Sequence, residues 1–124
     1  STIHANSARD SLTRLEQMIG MAGLDMAPRT IRQQIASAIH VVLQLTRGAD
    51  GKRRVISVQE VTGMEGEVIS MNEIFRFCRT STDEDGIVHG YFEATGIRPK
   101  FAEQLVSLNV TLPSDMFAPH RRLD

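Results

Sequence analysis

The sequence predicts an α+β fold: two N-terminal helices, antiparallel strands, and a C-terminal helix. Three observations point to it. Apolar residues between Ala8 and Ile39 recur at helical spacing, and from Val41 the period drops to two. Glycine-containing turns then separate short apolar runs, the mark of hairpins rather than of crossover connections. Pro99 finally reopens a helical pattern. With 124 residues, 41% of them hydrophobic, the chain reads as one domain spanning residues 1–124 with a modest core.

The elements follow in order. Thr2-Ile3 reads as the last step of a strand, and Ser7-x-x-Asp10 as a helix N-cap with a carboxylate near the helix's positive end. His4 and Asn6 therefore fall at a strand-to-helix junction, where backbone N–H groups point outward and anions such as phosphates bind. The first helix buries Ala8, Leu12, Leu15, Ile19 and Ala22 and shows Arg9, Asp10, Arg14, Glu16 and Gln17 to solvent. Gly23 ends it. Pro28 suits a first helical position, and Ile31, Ile35, Ala38 and Ile39 stripe the second helix. Val41, Leu43 and Leu45 alternate with Val42, Gln44 and Thr46, a strand with one strongly buried face.

Gly48-Ala49-Asp50-Gly51 is a turn, and Arg53 to Val61 is the returning strand. Gly63 and Gly66 bracket a second tight turn before Val68-Ile69-Ser70-Met71. Ile74, Phe75 and Phe77 add apolar surface. An acidic stretch from Thr80 to Asp85 closes at Gly86, and a short strand runs from Val88 to Phe92. The last helix buries Phe101, Leu105 and Leu108. The tail from Thr111 to Asp124 is expected to be an ordered-to-frayed coil.

Composition excludes several functions. A net charge of −1 gives no general attraction to nucleic acid. The single cysteine, Cys78, forms no internal disulfide framework and reads as a small core residue. No apolar run approaches the ~18 residues a membrane span needs, so the expectation is a soluble cytosolic domain. Gly48 to Lys52 lacks the spacing, the Ser or Thr and the following helix of a phosphate-binding loop. Arg47, Lys52, Arg53 and Arg54 form a basic hairpin, read first as a solvated turn. Asp83-Glu84-Asp85-Gly86 lacks the ligand pattern of a calcium loop. His4 stays open between an ordinary junction histidine and an anion ligand. The chain begins at Ser1 without an initiator Met, and it is expected to be the downstream part of a larger protein.

The series Thr2-Ile3-His4-Ala5-Asn6-Ser7, Arg9-Asp10-Ser11-Leu12 and Arg14-Leu15-Glu16 resembles the histidine-box region of the type II/type IV secretion and pilus motor ATPases. Leu24-Asp25, the run Ile31 to Ile39, Arg53-Arg54-Val55, Glu60 to Gly66, Ile74 to Phe77 and Gly96 to Phe101 are similar to the Flp/Tad pilus assembly branch, the CpaF type. The resemblance runs from Ser1 to about Phe117.

It implies the C-terminal portion of a RecA-like P-loop NTPase motor domain. It also implies a hexameric cytoplasmic parent that hydrolyses ATP with magnesium at the inner-membrane secretion apparatus. His4 would be the catalytic histidine that senses nucleotide state, Thr2, His4 and Asn6 would be its nucleotide-binding residues, and no metal ligand is assigned. The phosphate-binding loop and acidic boxes of that family are not in this sequence, so the chain alone is expected to bind no cofactor and to hydrolyse no ATP. Implied partners are neighbouring subunits of a homo-hexamer and inner-membrane pilus or secretion platform proteins, with no nucleic acid. Alone, the chain is expected to form a dimer through an exposed strand edge or by element exchange. The alternative is a free-standing, non-catalytic interaction or regulatory domain.

Overall fold

The computed structural model describes residues 1–23 and 25–123; Leu24 of the quoted Leu24-Asp25 and the terminal Asp124 lie outside the described residues. The order is α1 (Ala8–Met21), α2 (Pro28–Ala38), β1 (Val41–Arg47), β2 (Arg53–Glu65), β3 (Val68–Thr82), β4 (Val88–Ala94), α3 (Lys100–Ser107) and β5 (Arg122–Leu123). All five strands form one antiparallel meander in the order β1-β2-β3-β4-β5. The α+β class and the two-helix, strand, helix succession stand as expected.

The sheet is covered on both faces, unequally. On one face α1 and α2 bring Leu12, Ile31 and Ile35 onto Val61 and Ile69, with Val42, Met64 and Met71 at the margin. Strand alternation puts Val58 and Glu60 on the opposite face. There α3 and the tail build a second cluster of Ile74, Ala102 and Phe117, flanked by Phe75, Phe101, Leu112 and Met116. Helix α1 ends where Ala22 caps it and Gly23 turns left-handed at φ +80. Pro28 opens α2 without giving up a needed N–H.

Tertiary packing overturns several local readings. Thr2-Ile3 is not a strand, because residues 1–5 pair with no described strand, and a strand exists only through its ladder. The expected buried face of β1 is the exposed one: Val41, Leu43 and Leu45 are 40%, 53% and 54% exposed. They share the face of α3, but that eight-residue helix starts over β2 and does not reach the edge strand. β1 is the edge strand on that side, since Ser57 to Glu60 of β2 pair with both β1 and β3.

Gly63 does not bracket a turn. It sits inside β2 at a register shift, φ +129, and the turn itself is Gly66-Glu67. Leu108 lies past the end of α3 and is 70% exposed, while Ala102 is fully buried in its place. The tail is not frayed: Phe117 packs between Phe75 and Phe101, and β5 adds a last rung to β4.

Cys78 is not core either. It is half-buried and its thiol donates to Glu93 Oε1 at 3.3 Å. The Glu93 carboxylate also takes Arg76 at 2.8 and 2.9 Å, and the guanidinium holds it below the usual carboxylate range. The basic hairpin is tied rather than loose. Asp50 pairs with Arg54 and accepts the N–H groups of Lys52 and Val88, which fastens the β1–β2 turn to β4.

Candidate functional site at the start of the first helix

The Thr2–Asn6 segment lies along the start of α1 and is held by its neighbours' polar groups. Ser7 is the N-cap, extended at φ −154, and its Oγ accepts the Asp10 N–H at 3.0 Å. The Asp10 carboxylate reaches back and accepts the Asn6 N–H at 3.1 Å. Half of this is a capping box, the Ser7 side chain on the N3 N–H; the return bond goes to Asn6, one residue before the N-cap, rather than to Ser7 itself. One residue earlier, Ala5 C=O accepts a hydrogen bond from Gln44 Nε2 of β1 at 3.2 Å.

The side chains of Thr2, His4 and Asn6 are brought together in sequence but not in contact. All three residues are exposed, and none of their side chains hydrogen-bonds a described residue. An exposed imidazole beside a rigid helix start can donate to an incoming oxygen. The carboxylate expected near the helix's positive end is there. Asp10 already places a carboxylate at that end, satisfying the dipole and repelling a second anion. The His4 ring lies exposed beside that capped end.

The adjacent groove, about 380 Å³, runs between α1 and the β2–β3 turn and is lined in part by Arg9, Leu12, Glu16, Arg32 and Val68. Its arginines are engaged. Arg9 donates to Ile69 C=O at 3.0 Å; Arg32 donates to Glu67 C=O at 3.2 Å and to Glu16 at 3.0 and 3.1 Å. They fix the hairpin to the helices. Among the described residues no group of three or more His, Cys, Asp or Glu could hold a metal ion.

Residues 1–94 match the family of type II/IV secretion system proteins. The chain belongs to that family. The match takes in the His4 segment, both N-terminal helices and the four long strands, and ends at Ala94, before α3. Two relatives from Mycobacterium tuberculosis strains, provisionally described as conjugal transfer proteins, are each 28% identical over 88 residues. Those residues are 71% of this chain and 24% of either relative, so the chain spans about a quarter of their length.

Two features of this secretion system protein were not read from its sequence. Gln44 touches the His4 segment, and its signal was a lone amide in the apolar run Val41-Val42-Leu43-Gln44-Leu45. Glu60 caps α3 by accepting the Lys100 and Phe101 N–H groups; a carboxylate buried to 4% exposure in mid-strand has no signature in a single sequence.

Proposed function

We propose that this secretion system protein is the C-terminal portion of a RecA-like motor domain. The parent would be a hexameric cytoplasmic ATPase of the Flp/Tad, CpaF-like branch. It powers pilus assembly or type II/IV secretion at the inner membrane, and this portion contributes the histidine box and subunit contacts. The observation that carries the reading is His4: an exposed imidazole on a segment fixed beside a capped helix, inside the family match. In that role His4 donates a hydrogen bond to a phosphoryl oxygen and links nucleotide state to subunit movement.

ATP and magnesium do not fit this chain alone. The start of α1 already carries a carboxylate, the nearby arginines serve backbone carbonyls, and no cluster of metal-binding side chains occurs among the described residues. The phosphate cradle and metal ligands are assigned to other parts of the parent.

The test is His4→Ala in the full-length protein. Turnover falls roughly ten- to a thousandfold, the range for one lost charge-stabilising donor, while nucleotide affinity changes little. Wild-type turnover returns His4 to the role of an ordinary junction residue. The 124-residue chain, titrated calorimetrically with ATP and magnesium, shows no saturable low-micromolar binding. A second reading, a free-standing interaction domain, is favoured by the exposed Val41, Leu43 and Leu45 stripe alone.

A further inference from the structure

The two polar groups of a single peptide unit, the one joining Ala5 to Asn6, are held from opposite sides. Its carbonyl accepts from Gln44 Nε2 of β1, and its N–H donates to Asp10 Oδ2 of α1. The two side chains come from different elements, 39 residues and 4 residues away respectively. The carbonyls of Ala5 and Leu45 both face the Gln44 amino group, the latter at 3.4 Å. Turning the amide over would set oxygen against oxygen, so its orientation is fixed by its surroundings.

A peptide bond is planar, so fastening its N–H and C=O fixes the whole plane. Ala5, the half-buried member of this otherwise exposed segment, is pinned with it. His4 is one residue away, joined to that plane through the two dihedrals of Ala5, so the clamp anchors the point from which the His4 backbone departs. We infer that Gln44 and Asp10 are positioning residues, a clamp on the Ala5–Asn6 peptide that aims the His4 imidazole. The inference rests on the reading of His4 given above and adds to it two residues from outside the His4 segment. It also gives Asp10 a task besides complementing the helix dipole. The same carboxylate that satisfies the helix start reaches back to hold the histidine segment.

The physical reason such a clamp matters is geometric. A donor that stabilises charge must meet it at hydrogen-bond distance, and displacement by about 1 Å can cost up to about a hundredfold in rate. An untethered, exposed segment of five residues would not hold that position.

Two experiments test it. In the 124-residue chain, amide exchange and nitrogen–proton NMR report on the clamp directly. Gln44→Met keeps the volume and removes the donor; Asp10→Ala removes the acceptor. Each shifts the His4, Ala5 and Asn6 resonances, and the Asn6 amide exchanges about five- to tenfold faster. Gln44→Lys and Asp10→Asn, which restore a donor and an acceptor of similar reach, recover most of the protection. Unchanged resonances and exchange in both disabling variants would overturn the inference.

In the full-length protein, Gln44→Met lowers kcat about tenfold with KM within about twofold, and Gln44→Lys restores most of it. Wild-type turnover in Gln44→Met, where His4→Ala loses turnover, sinks the clamp alone. Wild-type turnover in His4→Ala sinks the reading of His4, and the clamp's purpose with it.

Discussion

The Glu60 carboxylate, in the middle of β2, accepts the backbone N–H groups of Lys100 at 2.9 Å and Phe101 at 2.8 Å. These are first-turn donors of α3, whose own N-cap residue, Pro99, supplies no side-chain bond. A strand residue forty positions away therefore caps the helix. Two segments singled out separately in the sequence, Glu60 to Gly66 and Gly96 to Phe101, meet at this point. The cap holds Ala102 and Phe101 over Ile74 and Phe117.

Removing that cap is expected to be costly. Glu60→Ala leaves two part-buried donors without their carboxylate and destabilises by about 2–3 kcal/mol, whereas Glu60→Gln keeps one acceptor and costs about 1 kcal/mol. Urea denaturation of the purified variants measures both. Equal stability of Glu60→Ala and wild type would show that α3 docks without its cap.

Gly90 on β4 faces Arg79 across the β3 ladder, with the Phe77 ring over it. An added Cβ would lie 2.5 Å from Phe77 Cζ and against the Cys78 carbonyl, which is ladder backbone and cannot swing away. Gly90→Ala is expected to cost about 2 kcal/mol through overpacking. Its denaturation midpoint is the measurement. A midpoint equal to wild type would mean that Phe77 moves aside freely.

Three carboxylates are held below their ordinary values, and acid should act chiefly through the two with buried side chains, Glu93 and Asp50, rather than through the more exposed Asp83. Glu93 is held below its ordinary 4.5 chiefly by the Arg76 hydrogen bond, and Asp50 below its ordinary 3.8 chiefly by Arg54. A depressed folded-state pKa stabilises above the unfolded value and loses that contribution as pH falls through the folded one. Stability should therefore be level near neutrality and decline as pH drops below 4.5 and then 3.8. Glu93→Gln is less stable near neutrality but has the shallower acid slope, so the two curves converge at low pH. Thermal midpoints across that range decide it; parallel curves would refute the assignment to Glu93.

The 124-residue chain is expected to self-associate through β1, whose outer edge is open and whose Val41, Leu43 and Leu45 are exposed. Burying several hundred Å² of apolar surface at about 25 cal/mol per Å² favours pairing by several kcal/mol. Light scattering against concentration should show a dimer, and Leu43→Lys with Leu45→Lys should return a monomer. A monomer throughout the micromolar range in the wild-type chain contradicts this.

What the sequence determined by itself was local. Periodicity placed α1 and α2, Pro28 and Gly23 marked their ends, and Ser7 with Asp10 marked the start of α1, because each depends on residues within a turn of one another. The class followed from the change of period at Val41. The tertiary structure alone decided which face of β1 is covered, since alternation names two faces but not which neighbour reaches them. It alone put Gly63 in a bulge, drew Phe117 and β5 into the fold, and set Gln44 on Ala5 and Glu60 on Phe101. These last two contacts join residues 39 and 41 positions apart, and no local pattern encodes a hydrogen bond whose partner is chosen by how the sheet and helices pack.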